Sequence, residues 1–144
     1  MTQNYGGSFA QRMIDEGRFD DAIAEATRAA ERDPADPEPI ADRAQALASL
    51  GRFAAAVTDL ERALALDVHA QVLERDFVDD GLFSALLGEA RAMAVADVPA
   101  AIARLQRYRE VLPRGRHAAD VETWAGRLRG DDKDAIIVKE YGAG

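Results

Sequence analysis

The sequence predicts an all-α fold, a right-handed α-solenoid of about three helix hairpins with a C-terminal capping helix. Three observations predict it. The stretch GRFDDAIAEATRAAERD, residues 17–33, returns 34 residues later as GRFAAAVTDLERALALD, residues 51–67. A fixed period of this length is the sequence sign of a helical repeat array. Alanine is abundant, 30 of 144 residues, and aromatics are only 6%, a mixture that suits thin, closely spaced helices and not a sheet. Apart from residues 135–138, no run alternates with the period of two that marks a strand.

Taken in order, residues 1–8 are polar and glycine-rich and are expected to fray. A first helix carries Phe9, Met13 and Ile14, and Gly17-Arg18 turns the chain. The second helix runs from about Phe19 to Arg32, with Ile23, Ala26 and Ala30 inward. Asp33-Pro34-Ala35-Asp36-Pro37 stops it, because proline cannot continue a helix and restricts the residue before it. The next helix starts near Pro37–Pro39, where a first turn tolerates proline, and carries Ile40, Ala44 and Leu47 up to the Gly51 turn. Its partner carries Phe53, Val57, Leu60, Leu64 and Leu66.

The period then breaks. A third hairpin finds its closest match at Val98, Ala101, Ile102, Leu105 and Leu112-Pro113, which leaves about 11 extra residues within 68–81. That segment is expected either to extend a helix or to form a loop. The third pair of helices is expected at about 82–96 and 99–111, with Asp97 as the N-cap of the second. Val121, Trp124, Ala125 and Leu128 recur at helical spacing over 118–129. They read as the cap that a repeat array needs over its last apolar face, with Trp124 at its core. The expected organisation is one helical domain over 1–129, with repeats at about 3–36, 37–70 and 82–115, a cap at 117–129, and a tail at 130–144.

The repeated positions resemble the tetratricopeptide repeat. Gly17, Phe19, Ala22, Ala29 and Asp33-Pro34 fill the signature places in the first copy. Gly51, Phe53, Ala56 and Ala63 fill them in the second, where Asp67-Val68 replaces Asp-Pro. The physical reasons stand on their own. Glycine permits the left-handed conformation that ends a helix, phenylalanine fills the gap where two helices cross, and alanines seven apart lie on one face and let backbones approach closely.

Composition and charge exclude several function classes. The chain has no cysteine, hence no disulfide, thiolate metal site or cysteine nucleophile. No uncharged stretch approaches the length of a membrane span, and the N-terminus lacks the basic and apolar regions of a signal peptide. Cytoplasmic location is expected. His69 and His117 stand far apart, the pairs Asp20-Asp21, Asp79-Asp80 and Asp131-Asp132 are adjacent and so do not share a helix face, and Ser8, Ser49 and Ser84 have no histidine in a nucleophile pattern. No glycine-rich phosphate loop is present. Catalysis, cofactors and metals are therefore not expected. Residues 1–80 hold 17 acids against 8 arginines, while residues 104–129 hold seven arginines against three acids. The cluster Arg104, Arg107, Arg109, Arg114 and Arg116 invites a phosphate-contact reading. The acidic chain and the lack of interleaved aromatics other than Tyr108 favour pairing with carboxylates instead.

The repeat register places a groove lined by Gln11 and Ile14 in the first repeat, Ala41, Gln45 and Ala48 in the second, and Phe83, Leu86 and Met93 in the third. Some tetratricopeptide repeats grip a C-terminal carboxylate with Lys, Arg and Asn. Here Asn4 is the only asparagine and the two lysines lie in the tail, so that mode is not expected. The resemblance implies a non-catalytic protein-binding module, of adaptor or co-chaperone type, holding a peptide or protein segment in the groove. The alternatives are a self-associating scaffold and an accessory subunit of an enzyme; the apolar tail is expected to dock, either in the chain's own groove as a pseudo-ligand or in a neighbour's as a dimerisation arm. Membrane and nucleic acid are not expected as partners.

Overall fold

Seven helices make up the described residues, 8–130 of a computed structural model, and there is no strand among them. They are α1 (Phe9–Asp15), α2 (Phe19–Arg32), α3 (Pro37–Ser49), α4 (Phe53–Leu66), α5 (Arg75–Met93), α6 (Val98–Val111) and α7 (Ala118–Arg129). The all-α class predicted from the repeat is the class observed.

The two repeated glycines do the same work twice. Gly17 and Gly51 both sit at φ 77, the left-handed region that L side chains rarely adopt. The Gly17 N–H donates to the Ile14 carbonyl and that of Arg18 to the Met13 carbonyl, at 2.9 and 2.8 Å. The Gly51 N–H donates to Ala48 and that of Arg52 to Leu47, both at 2.9 Å. These crossed bonds satisfy the orphan carbonyls of α1 and α3 and reverse the chain into α2 and α4. Starts are equally local. The Ser8, Asp36 and Asp97 side chains accept the N–H groups of Gln11, Glu38 and Ala100, and a proline stands in the first turn of α3 and of α6.

The chain divides into two compact units, Met1–Ala85 and Leu86–Gly144, with the boundary inside α5. In the first, each of α1 to α4 packs on its chain neighbour, and α1 also touches α3. Ala22, Ala44, Ala46, Ala56 and Ala63 are completely buried, which is how the backbones come close. Ile40, Leu47, Val57 and Leu60 supply the larger apolar volume. A charged pair, Arg43 of α3 with Asp59 of α4, is set into this core.

The segment 68–81 divides its extra residues between a loop and a helix extension. The buried Asp67 carboxylate ends α4 by accepting three backbone N–H groups, from Gln71, Val72 and Leu73, at 3.0–3.1 Å. Arg75 donates to the carbonyl of the same residue. The Glu74 carboxylate then accepts the N–H groups of Asp76 and Phe77, and α5 begins at Arg75, not near Leu82. It ends at Met93, short of the expected Ala96. The early start puts Val78 and Leu82 on one face, where both are buried.

In the second unit α6 packs on α7. Ala101, Leu105, Tyr108, Val121 and Ala125 are completely buried. The Tyr108 hydroxyl accepts the His117 backbone N–H at 2.9 Å. Trp124 is not the core of the cap. It is half-buried, with the guanidinium groups of Arg127 and Arg91 at 4.7 and 5.5 Å from its ring centre. Val121 and Ala125 take the core positions because they fit between closely spaced helices, and the indole lies under cations at the edge.

Candidate functional site

The second repeat and the first turns of α5 enclose a concavity of about 470 Å³, all of it within the first unit. Its size falls in the range of ligand sites. The α3 wall is Ala41, Ala44, Gln45 and Ala48, three methyl groups around one amide. The α4 wall is Phe53 and Leu60. The α5 wall is Phe77, Val78, Asp80, Gly81 and Ser84. Small residues on α3 leave the space open. At Gly81 an added Cβ would meet only Leu60 Cδ1, at 3.7 Å, so the glycine keeps the wall low without being needed for packing. Phe77 is 53% exposed, an aromatic ring offered to solvent from the wall of an apolar hollow.

Two polar groups give this hollow its character. The Gln45 side-chain oxygen is buried and accepts no hydrogen bond from any described residue. A buried acceptor left so costs about 1–3 kcal/mol. Asp80 is the only charged side chain in the lining. The Ser49 hydroxyl, also in the lining, donates to the Gln45 backbone carbonyl at 3.0 Å and is spent within α3.

The residues expected to line a groove are placed differently from one another. Ala41, Gln45 and Ala48 stand together in this concavity. Gln11 donates to Asp15 on α1 at 3.1 Å. Ile14 is buried with Ala10, Ala22, Ala26 and Ala46, and Leu86 is completely buried, so both serve packing and offer no surface. Phe83 is buried and Met93 half-buried. Asn4 and the tail, with its expected docking, lie outside the described residues. Sequence reasoning missed the whole α5 wall, because the repeat register was lost in 68–81. The signal available was Phe77-Val78 beside Gly81, an apolar pair next to a helical glycine.

A second, smaller recess of about 300 Å³ lies among α1, α2 and α3. It is acidic, with Glu25, Asp36, Glu38 and Asp42 in its lining. The Ser8 hydroxyl donates to Asp42 at 2.6 Å. Burial pushes the Asp42 carboxyl up from the usual carboxylate range, against the Ser8 bond that pulls it down. Glu38 is pushed up by burial and then by Asp36 and Asp42.

Three members of the arginine cluster pair with carboxylates of their own unit. Arg104 pairs with Glu89 at 2.7 Å, Arg107 with Glu110 at 2.9 Å, and Arg109 with Glu122. His117 Nδ1 lies 2.8 Å from Asp120. Among the described residues no group of three or more metal-ligating side chains could hold an ion, and no helix is long and apolar enough to cross a membrane.

Residues 13–74 match the model of the tetratricopeptide repeat family. The match runs from inside α1 to the residue before α5 and spans the two copies of the repeated motif. No curated protein matches the chain.

Proposed function

Taking residues 13–74 as a tetratricopeptide repeat segment, we propose that the protein is a non-catalytic adaptor that holds a peptide segment of a protein partner in the concavity formed by α3, α4 and the start of α5. Repeats of this family are generally protein–protein interaction modules. The observation that carries the reading is Gln45: an amide oxygen without a donor, beside the apolar surfaces of Ala41, Ala48 and Phe53 in the same hollow. A peptide backbone N–H or side-chain donor entering the hollow supplies what the oxygen lacks, since the terminal amide torsion of glutamine is soft and turns to meet it. Phe77 and Phe53 offer apolar area to an anchor side chain. The lining holds hydroxyls of Ser49 and Ser84 but no histidine to activate them, which favours binding over chemistry. We place this adaptor in the cytoplasm on the absence of cysteine from the sequence.

The test selects random dodecapeptides displayed on phage against the tagged protein and measures the affinity of a recovered peptide by calorimetry. Gly81→Leu fills the hollow and is expected to abolish binding of that peptide while the melting temperature holds or rises, because leucine is the better helix former. Gln45→Met removes the orphan oxygen. It is expected to raise the melting temperature and weaken binding, two changes of opposite sign. Recovered peptides that bind both variants as they bind wild type would place recognition elsewhere.

A further inference from the structure

We propose that Arg91, Trp124 and Arg127 form a further binding site, in the second unit, that takes the side-chain carboxylates of an acidic segment of a protein partner. All three residues belong to that unit. Arg127 stands one turn after Trp124 on α7, and Arg91 comes from the last turn of α5. Their guanidinium carbons lie 4.7 and 5.5 Å from the centre of the same indole ring. Two like charges drawn to one ring repel each other, and the negative face of the ring offsets only part of that repulsion. An anion offsets the rest.

The unit's own carboxylates are engaged elsewhere. Its described residues hold five. Glu89 pairs with Arg104, Glu110 with Arg107, Glu122 with Arg109 and Asp120 with His117, and Asp97 caps α6. Arg91 and Arg127 are both exposed, and they share the indole in place of an acid. The polar groups of this cluster are all donors, since neither a guanidinium nor an indole can accept a hydrogen bond. The planar guanidinium fork matches a carboxylate, and holding it on a ring beforehand lowers the ordering cost of binding. Carboxylates suit the site better than phosphates or bases. Both arginines stand in the last turns of their helices, at the negative end of the helix dipole, whereas phosphates are bound at the opposite end. A doubly charged phosphate is opposed there more than a singly charged carboxylate. A nucleobase needs an open aromatic face, and this ring already carries two guanidinium groups.

Trp124 is the only tryptophan in the chain, so its fluorescence reports on this site alone. The full chain is titrated with a peptide alternating Glu and Gly, and with the same peptide carrying Gln in place of Glu. The Glu peptide is expected to shift the emission saturably, and more weakly as salt rises. The Gln peptide is expected to leave it unchanged. Arg91→Gln and Arg127→Gln are each expected to weaken the Glu peptide on the order of tenfold, with little change in melting temperature because both side chains are exposed. Gly81→Leu is expected to bind the Glu peptide as wild type does, so this site and the concavity fail separately. No saturable shift, or equal affinity for wild type and both arginine variants, overturns the proposal. Tighter binding of a phosphoserine peptide or of single-stranded DNA overturns it by assigning the cluster to phosphate. A Glu peptide that binds only Asp131→Asn/Asp132→Asn/Asp134→Asn overturns it by assigning the cluster to the chain's own acidic run.

Discussion

Arg43 of α3 and Asp59 of α4 meet fork to fork. Nε and Nη2 of the guanidinium donate to the two carboxylate oxygens at 2.8 and 2.9 Å, and Nη1 donates to Thr27 Oγ1 of α2 at 3.2 Å. The hydrogen bond to Asp59 holds the Arg43 guanidinium above its ordinary value, against burial. One side chain thus ties three consecutive helices together across the boundary between the two repeats. Asp59 is 7% exposed, so a carboxylate left there alone has little water to turn to. Arg43→Leu is expected to destabilise by about 2–4 kcal/mol, because removing one partner strands the other. The double variant Arg43→Leu/Asp59→Leu is expected to recover much of that loss. Urea denaturation of the two singles and the double gives the coupling. Additive losses would show that the pair does not act as a unit.

The Asp67 carboxylate makes stability depend on acid. The Leu73 N–H, with those of Val72 and Gln71, holds its pKa below the ordinary carboxylate value, against burial and with help from Arg75. A lowered folded value means that the stabilisation is present above the ordinary pKa of about 4 and is lost as pH falls through the folded value. Asp67→Ala is therefore expected to lower the melting temperature at pH 7, with the gap to wild type narrowing at the acid end of a pH series. A gap that stays constant down to pH 2 would show that the carboxylate charge is not what holds the loop.

Asp42 has the opposite sign. Its raised folded value means that ionisation at neutral pH works against folding, and the cost is relieved as pH falls toward that value. Asn keeps an oxygen for the Ser8 hydroxyl and carries no charge. Asp42→Asn is expected to raise the melting temperature at pH 7, with the gain shrinking as the solution is acidified through the carboxylate range. A lower melting temperature for the variant at pH 7 would mean that the ionised carboxylate is needed for the Ser8 contact that anchors α1.

In the second unit, Gly115 is where the chain crosses Tyr108. A Cβ at Gly115 would stand 2.0 Å from the Tyr108 hydroxyl and 2.6 Å from its ring carbon. Tyr108 is completely buried and cannot swing away. Gly115→Ala is expected to cost about 1–3 kcal/mol by overpacking. Tyr108→Phe is expected to cost about 1–3 kcal/mol by leaving the His117 N–H without its acceptor. Hydrogen exchange across α6 and α7 would locate both losses, and exchange unchanged there would refute the packing account.

Where the reading of the residues succeeded, the cause lay within a few positions along the chain. Gly17 and Gly51 end helices through bonds that reach five residues back or fewer. Ser8, Asp36 and Asp97 start them through bonds that reach two or three forward. The all-α class, the turns of the two repeated hairpins and the expected Asp97 cap were legible because backbone sterics and capping act locally. The α3 wall of the concavity was legible too, since the spacing of Ala41, Gln45 and Ala48 is helical spacing. The start of α5 was not, although its determinants, Asp67 and Glu74, are also near in sequence, because several loop and helix solutions satisfy the same 68–81 residues. Arg43 and Asp59 are 16 residues apart, and each reads as an ordinary surface charge until α3 and α4 are packed. Sequence by itself therefore determined the repeat and the helix ends that local caps and turns fix. Only tertiary structure decided that Ile14 and Leu86 are core, that Trp124 is not, and that Phe77, Asp80 and Gly81 face the same hollow as Gln45. Burial and concavity are properties of several elements at once, and no local rule along the chain contains them.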